Sequence, residues 1–182
     1  MFNYGGFKLF LFKFITGLCL ISFSFFLIIS VITHNPNDPG IGKFGVSADL
    51  SNIFGFYGAL ASSILIFLMG KLSLLILSFI FYEGIRITLG VKIKLFLLKF
   101  TMVLISVLLF GVAIMFINTK IMHPGYLATL LIDIISYYSV NLESDFIYKH
   151  SIGVLLFLLA SSILIFSFSI RLLFLKNIFQ KI

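Results

Sequence analysis

The sequence is poor in charged side chains, contains a single cysteine and lacks tryptophan altogether. Of its 182 residues, 10% are charged and 61% are apolar, whereas a water-soluble domain has roughly 25% charged and 45–50% apolar residues. So few polar side chains cannot cover the surface of a soluble domain, and so much hydrophobicity excludes an intrinsically disordered chain. The single Cys19 allows neither an intramolecular disulfide nor a cysteine-based metal site. Lipid is therefore the predicted solvent for most of the chain.

Long apolar runs predict a single domain, residues 1–182, with four transmembrane helices. A bilayer core of about 30 Å takes roughly 20 helical residues. Uncharged runs of twenty, eighteen and twenty residues cover positions 14–33, 100–117 and 151–170, and a fourth apolar region at 50–82 is interrupted only by Lys71. The predicted spans lie at about 14–33, 65–86 or 54–70, 96–117 and 151–172, with outer loops at about 34–64 and 118–150 and an inner loop at about 83–95.

The second span has two possible registers. In one, residues 54–70 cross the bilayer and residues 72–82 lie along its inner face. In the other, residues 65–86 cross, residues 55–64 lie at the outer face and Lys71 extends outward to the head groups. The second register is favoured because Gly55, Gly58 and Ala59 make a weak lipid-facing helix but a good close-packing or interfacial one.

The distribution of basic residues predicts that both termini are cytoplasmic. In that orientation nine Lys and Arg side chains and one acid lie on the inner side, against three basic and five acidic side chains outside, with Lys71 of the second apolar region counted on neither side. This asymmetry follows the positive-inside rule. It also accounts for the net charge of +7 through contacts with anionic lipid head groups, so no direct binding of nucleic acid is predicted. The basic residues assigned to the inner membrane surface include Lys92, Lys94, Lys99, Arg171 and Lys176.

Both outer loops are predicted to contain interfacial helical segments. The first begins with a turn-forming cluster of Asn, Pro and Asp at residues 35–40, which ends the first span. In the second, Leu and Ile residues recur at helical spacing around Asp133, which predicts a short helix over 126–138 on the outer surface. The predicted fold class is therefore an all-α membrane protein with four transmembrane helices.

The sequence contains no recognisable catalytic, cofactor or metal site. A phosphate-binding loop requires Gly, four residues and then Gly-Lys-Ser/Thr, and both Gly-Lys pairs are followed by other residues. The three histidines are spread along the chain rather than clustered as metal ligands. Lys71 is the only ionisable residue inside an apolar run, and Glu83 and Arg86 form a predicted pair at the inner boundary. A small multi-pass transporter or channel component is therefore an alternative with little support.

The turn after the first span carries a resemblance to a known family. His34-Asn35-Pro36-Asn37-Asp38-Pro39 is followed by Asn52, Gly55 and the pair Gly58-Ala59. This pattern resembles the four-span N-terminal region of the bacterial FtsK/SpoIIIE DNA translocases, and it covers about residues 30–90. The family-motif residues are Pro36, Asp38, Pro39, Asn52, Gly55, Gly58 and Ala59.

The resemblance implies a membrane anchor rather than an enzyme. In that family the region continues into a linker and a hexameric ATP-driven DNA pump, and neither is expected in this chain. The expected role is to tether and assemble the translocation machinery at the division septum of the bacterial inner membrane, in support of cell division and chromosome segregation. The partners it implies are the bilayer, further copies of the chain and other division proteins, with no cofactor.

Overall fold

The computed structural model describes residues 4–41, 50–91, 95–117, 124–138 and 146–168. Within these ranges every regular element is a helix, which confirms the all-helical class. A short 3₁₀ turn, Gly70–Leu72, separates the second helix from the third. The helices are α1 (Tyr4–Ile32), α2 (Gly55–Met69), α3 (Ser73–Thr88), α4 (Phe96–Ile117), α5 (Tyr126–Tyr138) and α6 (Phe146–Ser167).

Four of the described segments are long and apolar enough to cross a membrane, which confirms the predicted number of candidate spans. Helix α5 is shorter and coincides with the short helix predicted at 126–138. The candidate spans are Phe7–Ile32, Gly55–Thr88, Phe96–Ile117 and Lys149–Ser167.

Helices α1 and α3 form a closely packed antiparallel pair. Gly17 of α1 lies against Thr88 and Gly84, and Ile21, one turn further along α1, also contacts Gly84. A Cβ atom added at Gly17 would lie 2.6 Å from the Thr88 nitrogen and 2.8 Å from the Gly84 oxygen. Because both of these are backbone atoms, only glycine permits this separation of the two helices.

Helices α4 and α6 form a second antiparallel pair, which is joined by serine hydroxyls. Ser106 Oγ donates to the Ala160 oxygen at 2.8 Å, and Ser167 Oγ donates to the Lys99 oxygen at 2.7 Å. In the first bond α4 supplies the donor and α6 the acceptor, and in the second these roles are exchanged. Such interhelical bonds are typical of serines in membrane helices.

A hydrophobic core joins the two pairs. Ile76 and Phe79 of α3 pack against Val103 and Val107 of α4, and all four side chains are buried. The Phe168 ring, just after α6, meets the Phe79 ring edge-on at 5.4 Å between centroids. Helix α3 therefore lies between α1 on one side and α4 and α6 on the other.

Glycines set the bend between α2 and α3 and its contact with α5. Gly70 has φ 60° and ψ −159°, a conformation that is essentially restricted to glycine. Gly125, which precedes α5, also has positive φ and packs against the backbone of Met69 and Gly70. The Tyr126 ring then stacks on Phe67 of α2, with centroids 5.3 Å apart. The bend is thereby held against the second half of the chain.

Candidate functional site

Most of the residues that carry the family resemblance come together where α1 ends and α2 begins. We call this region the α1–α2 junction and define it by Ser30, Asp38, Asn52, Phe54 and Gly58. Asp38 and Asn52 are polar, yet only 5% and 3% of their surfaces are exposed. Buried polar side chains require hydrogen-bond partners, and at the junction those partners are backbone groups.

Asp38 connects the two ends of the loop between α1 and α2. Its turn is prepared locally by Asn35, whose side-chain oxygen accepts a hydrogen bond from the Asn37 nitrogen at 3.0 Å. The Asp38 carboxylate then accepts hydrogen bonds from the backbone nitrogens of Ser51 at 3.0 Å and Asn52 at 2.9 Å. A carboxylate that accepts backbone N–H groups forms strong, charge-assisted bonds.

Asn52 links the two helices through a single side chain. Its amide nitrogen donates to the Ser30 oxygen at 2.8 Å, in the last turn of α1. Its amide oxygen accepts a hydrogen bond from the Phe54 nitrogen at 3.1 Å, at the start of α2. Helix ends leave backbone groups without helical partners. The Asn52 amide therefore supplies a hydrogen-bond donor to the last turn of α1 and an acceptor to the start of α2.

The small residues of the motif leave room for this amide. Gly55 has φ +60° and donates its N–H to the backbone carbonyl oxygen of Asn52 at 2.9 Å. A Cβ atom at Gly58 would overlap the Asn52 side-chain oxygen and lie 2.8 Å from the Phe54 Cβ. The neighbouring Ala59 is almost completely buried. These residues therefore make close contacts within one chain.

Two serines of α2 extend the junction through partners that the sequence did not identify. The buried Ser62 hydroxyl lies 3.0 Å from His34 Nδ1. Ser63 Oγ accepts a hydrogen bond from the Ile41 nitrogen at 2.9 Å. The sequence showed only that these residues were small and polar, and their partners lie 28 and 22 residues away.

The remaining predicted site residues are placed as follows. Pro39 is buried beside Asp38, and Pro36 is exposed. Lys99 lies in the first turn of α4, at the end of the bundle away from the junction, and is partly exposed. The predicted surface residues Lys92, Lys94, Arg171 and Lys176 lie outside the described residues.

A buried ion pair lies on α3, away from the junction. Arg86 Nη1 and Glu83 Oε1 are 2.7 Å apart, as the sequence spacing predicted. Glu83 is completely buried, whereas the Arg86 side chain is 20% exposed and also lies over the Tyr82 ring. The second carboxylate oxygen of Glu83 has no hydrogen-bond partner among the described residues. Lys71, which the sequence singled out as the ionisable residue within an apolar run, is exposed.

The junction is suited to holding helices together. Each oxygen of the Asp38 carboxylate and both polar atoms of the Asn52 amide are bonded to backbone groups. In the part of the chain that the structure describes, no three His, Cys, Asp or Glu side chains are grouped as metal ligands. The geometry therefore supports a structural role for the motif.

Comparison with known proteins agrees with the pattern at the junction. No curated protein and no solved structure matches the chain. A family model for the 4TM region of DNA translocase FtsK/SpoIIIE matches residues 11–178. This range contains the whole junction and three of the candidate spans, and it contains the first span from residue 11 onward. The chain therefore belongs to the FtsK/SpoIIIE 4TM family and is a membrane domain of this type of translocase.

Proposed function

We propose that this chain anchors an FtsK-like DNA translocase at the division septum, where it supports cell division and chromosome segregation. The family match over residues 11–178 carries this proposal. The four candidate spans supply the anchor, and the closely bonded junction gives it a fixed shape on one side. The motor that pumps DNA is not in this chain, so the domain contributes position and assembly rather than ATP hydrolysis.

The proposed topology has both termini in the cytoplasm of a bacterium with the α1–α2 junction on the outer side of the inner membrane. The excess of basic residues around the inner loop and near both termini supports this orientation. On this basis the inner surface contacts anionic lipid through its Lys and Arg side chains.

The packing favours the register in which α3 crosses the bilayer. The 3₁₀ turn and α3 together span 19 residues, from Gly70 to Thr88, and about 28 Å at roughly 1.5 Å per residue, which matches the hydrocarbon core. Helix α2 instead begins beside Phe26 and Ser30 of α1 and reaches His34 by its middle, so it stays near the junction end of α1. We therefore assign α2 to the outer side.

Cysteine labelling tests this topology. In a Cys19→Ala background, Asn37→Cys should react with a membrane-impermeant maleimide in intact cells, because Asn37 is exposed in the outer turn. Leu89→Cys, just after α3, is exposed at the opposite end and should react only after the cells are permeabilised. Labelling of Leu89→Cys but not Asn37→Cys in intact cells would reverse the orientation.

Assembly with further copies of the chain and with other division proteins is part of the proposal. Gly58 and Ala59 are buried within one chain, so they shape the partner surface rather than form it. The side chains of α2 that remain exposed next to them are Phe56, Tyr57 and Leu60. We assign the division-specific contact to this face of α2.

Gly58→Leu tests whether the shape of the junction is needed at the septum. The new side chain must displace the Asn52 amide, which should disturb α2 while leaving the four helices assigned to cross the membrane, α1, α3, α4 and α6, unchanged. We expect a fluorescent fusion of this variant to remain in the membrane but to lose its septal enrichment.

Phe12→Leu is the matched control, because it places the same side chain in α1, at a position that is 73% exposed and lies outside the assigned face of α2. Resistance to alkaline extraction, together with the cysteine labelling above, separates failure of insertion from failure of localisation. Septal enrichment of an inserted Gly58→Leu protein at the parental level would count against the assembly role.

A further inference from the structure

Helix α5 has three chemically distinct faces. Leu127, Leu130, Leu131 and Ile134 follow the i, i+3, i+4, i+7 spacing of one apolar stripe, and the last three side chains are exposed. On a second stripe lie Thr129, Asp133 and Ser136. Ala128, 1% exposed, lies on a third face, between the other two.

The third face fixes α5 against the bundle. A Cβ atom at Gly111 of α4 would lie 2.6 Å from the Ala128 Cβ and 3.4 Å from the Pro124 Cβ. Gly125 packs against the backbone of Met69 and Gly70. The start of α5 is therefore held at the level of Gly111 along α4.

That level lies within the apolar length of the candidate span α4. Gly111 lies between four and five residues past the centre of α4 (Phe96–Ile117), towards its C-terminal end. This separation corresponds to about 7 Å along the helix axis at roughly 1.5 Å per residue. With α4 centred in a hydrocarbon core of about 30 Å, the start of α5 lies about 8 Å inside the boundary. When the 19 residues from Gly70 to Thr88 fill the core instead, the contact of Gly125 with Gly70 places the start of α5 at the boundary itself. Interfacial helices lie at the boundary between head groups and acyl chains and bury their apolar faces by roughly 5–10 Å, so a helix that starts between these two levels fits an interfacial position.

The polar stripe is compatible with this position. Thr129 Oγ1 donates to the Tyr126 oxygen at 2.8 Å, and Ser136 Oγ donates to the Asp133 oxygen at 2.9 Å. Both hydroxyls are therefore satisfied within the helix, as is common for serine and threonine in apolar surroundings. Asp133 is exposed and is the only charged residue of α5.

We propose that α5 is an interfacial helix immersed in one leaflet, with Leu130, Leu131 and Ile134 in contact with acyl chains and Asp133 at the head groups. Lipid is the favoured occupant because the exposed side chains of the stripe are apolar and the start of α5 is held at the level of the candidate span α4. The depth argument is independent of the proposed function. Only the naming of this leaflet as the outer one rests on the proposed topology.

The absence of tryptophan from the chain permits a direct test with single-tryptophan variants. Leu131→Trp and Asp133→Trp place the probe on the apolar and polar stripes, and Leu158→Trp, at an exposed position of α6, serves as the reference for lipid contact. Each protein is reconstituted in phosphatidylcholine vesicles with or without acyl-chain-brominated phosphatidylcholine. Fluorescence is then measured with and without acrylamide.

We expect brominated lipid to remove most of the fluorescence of Leu131→Trp, as for Leu158→Trp, and acrylamide to quench Asp133→Trp preferentially. Quenching of Leu131→Trp by acrylamide alone would place the stripe in water and overturn the proposal. Protection from both quenchers would place protein over it, such as a second copy, and would also overturn it. Leu130→Trp repeats the measurement on the same stripe, and helical circular dichroism verifies folding. None of these readouts depends on septal localisation or on the sidedness of the chain.

Discussion

Replacing Arg86 with methionine is expected to destabilise the folded chain by about 3–5 kcal/mol, the cost of removing one partner from a buried ion pair. Glu83 is completely buried, and its Oε1 atom is 2.7 Å from Arg86 Nη1. Its Oε2 atom has no partner in the described part of the chain. Without Arg86 the carboxylate would therefore stay buried with neither oxygen bonded to a described residue.

The double variant Glu83→Leu/Arg86→Met should recover most of this loss, because replacing both partners by apolar groups leaves no orphaned charge. Lys71→Met removes an exposed cation from the same candidate span and should change stability little. Unfolding by sodium dodecyl sulfate in mixed micelles, followed by near-ultraviolet circular dichroism, gives the comparison. Equal stability of Arg86→Met and Lys71→Met would show that the ion pair contributes nothing.

The sequence predicted the helices well because the length and periodicity of an apolar run are local properties. The four candidate spans and the helix over 126–138 required no knowledge of tertiary contacts. The bend at Gly70 could be predicted only in part from the sequence. The sequence showed Gly70 followed by Lys71, but the contact with Gly125 that holds the bend comes from a segment 55 residues further along the chain.

The junction was predicted as a set of residues but not as a network. The Asn35 turn follows from local chemistry, because Asn side chains bond to backbone groups two residues on. Asp38 was assigned the same local role. Its carboxylate instead reaches the backbone of Ser51 and Asn52, 13 and 14 residues away, and no local pattern identifies such partners.

Burial of charge was the least predictable feature. The sequence placed Glu83 at the inner boundary and treated Lys71 as the ionisable residue within an apolar run. In the structure Glu83 continues the face of α3 formed by Ile76 and Phe79, which α4 and Phe168 cover. Its burial therefore results from how separate helices pack, whereas Lys71 is exposed at the bend.

Asn52→Ala is expected to loosen the α1–α2 junction. The substitution leaves the Ser30 oxygen and the Phe54 nitrogen without the side-chain bonds at 2.8 and 3.1 Å. A buried group left unsatisfied costs about 1–3 kcal/mol. The Ser30 oxygen is such a group, so the expected loss of stability is about 1–3 kcal/mol by the same estimate, to which the part-buried Phe54 nitrogen adds a smaller amount. Asn37→Ala is the control, since Asn37 is exposed and its bond to Asn35 is made by its backbone nitrogen, which the substitution keeps. The same detergent titration measures both, and equal midpoints would contradict the role given to Asn52.

The same substitution should change the effect of a methyl group at Gly58. Alanine is favoured over glycine inside a helix by about 1 kcal/mol, but in the parent chain its Cβ would overlap the Asn52 side-chain oxygen. Gly58→Ala should therefore destabilise the parent and cost less in the Asn52→Ala background, because the side-chain oxygen is then gone and only the contact with the Phe54 Cβ at 2.8 Å remains. Such non-additivity is the signature of two residues in direct contact. Additive losses would mean that the helix accommodates the methyl group by moving away from Asn52, and the close fit at the junction would then not explain why glycine stands at position 58.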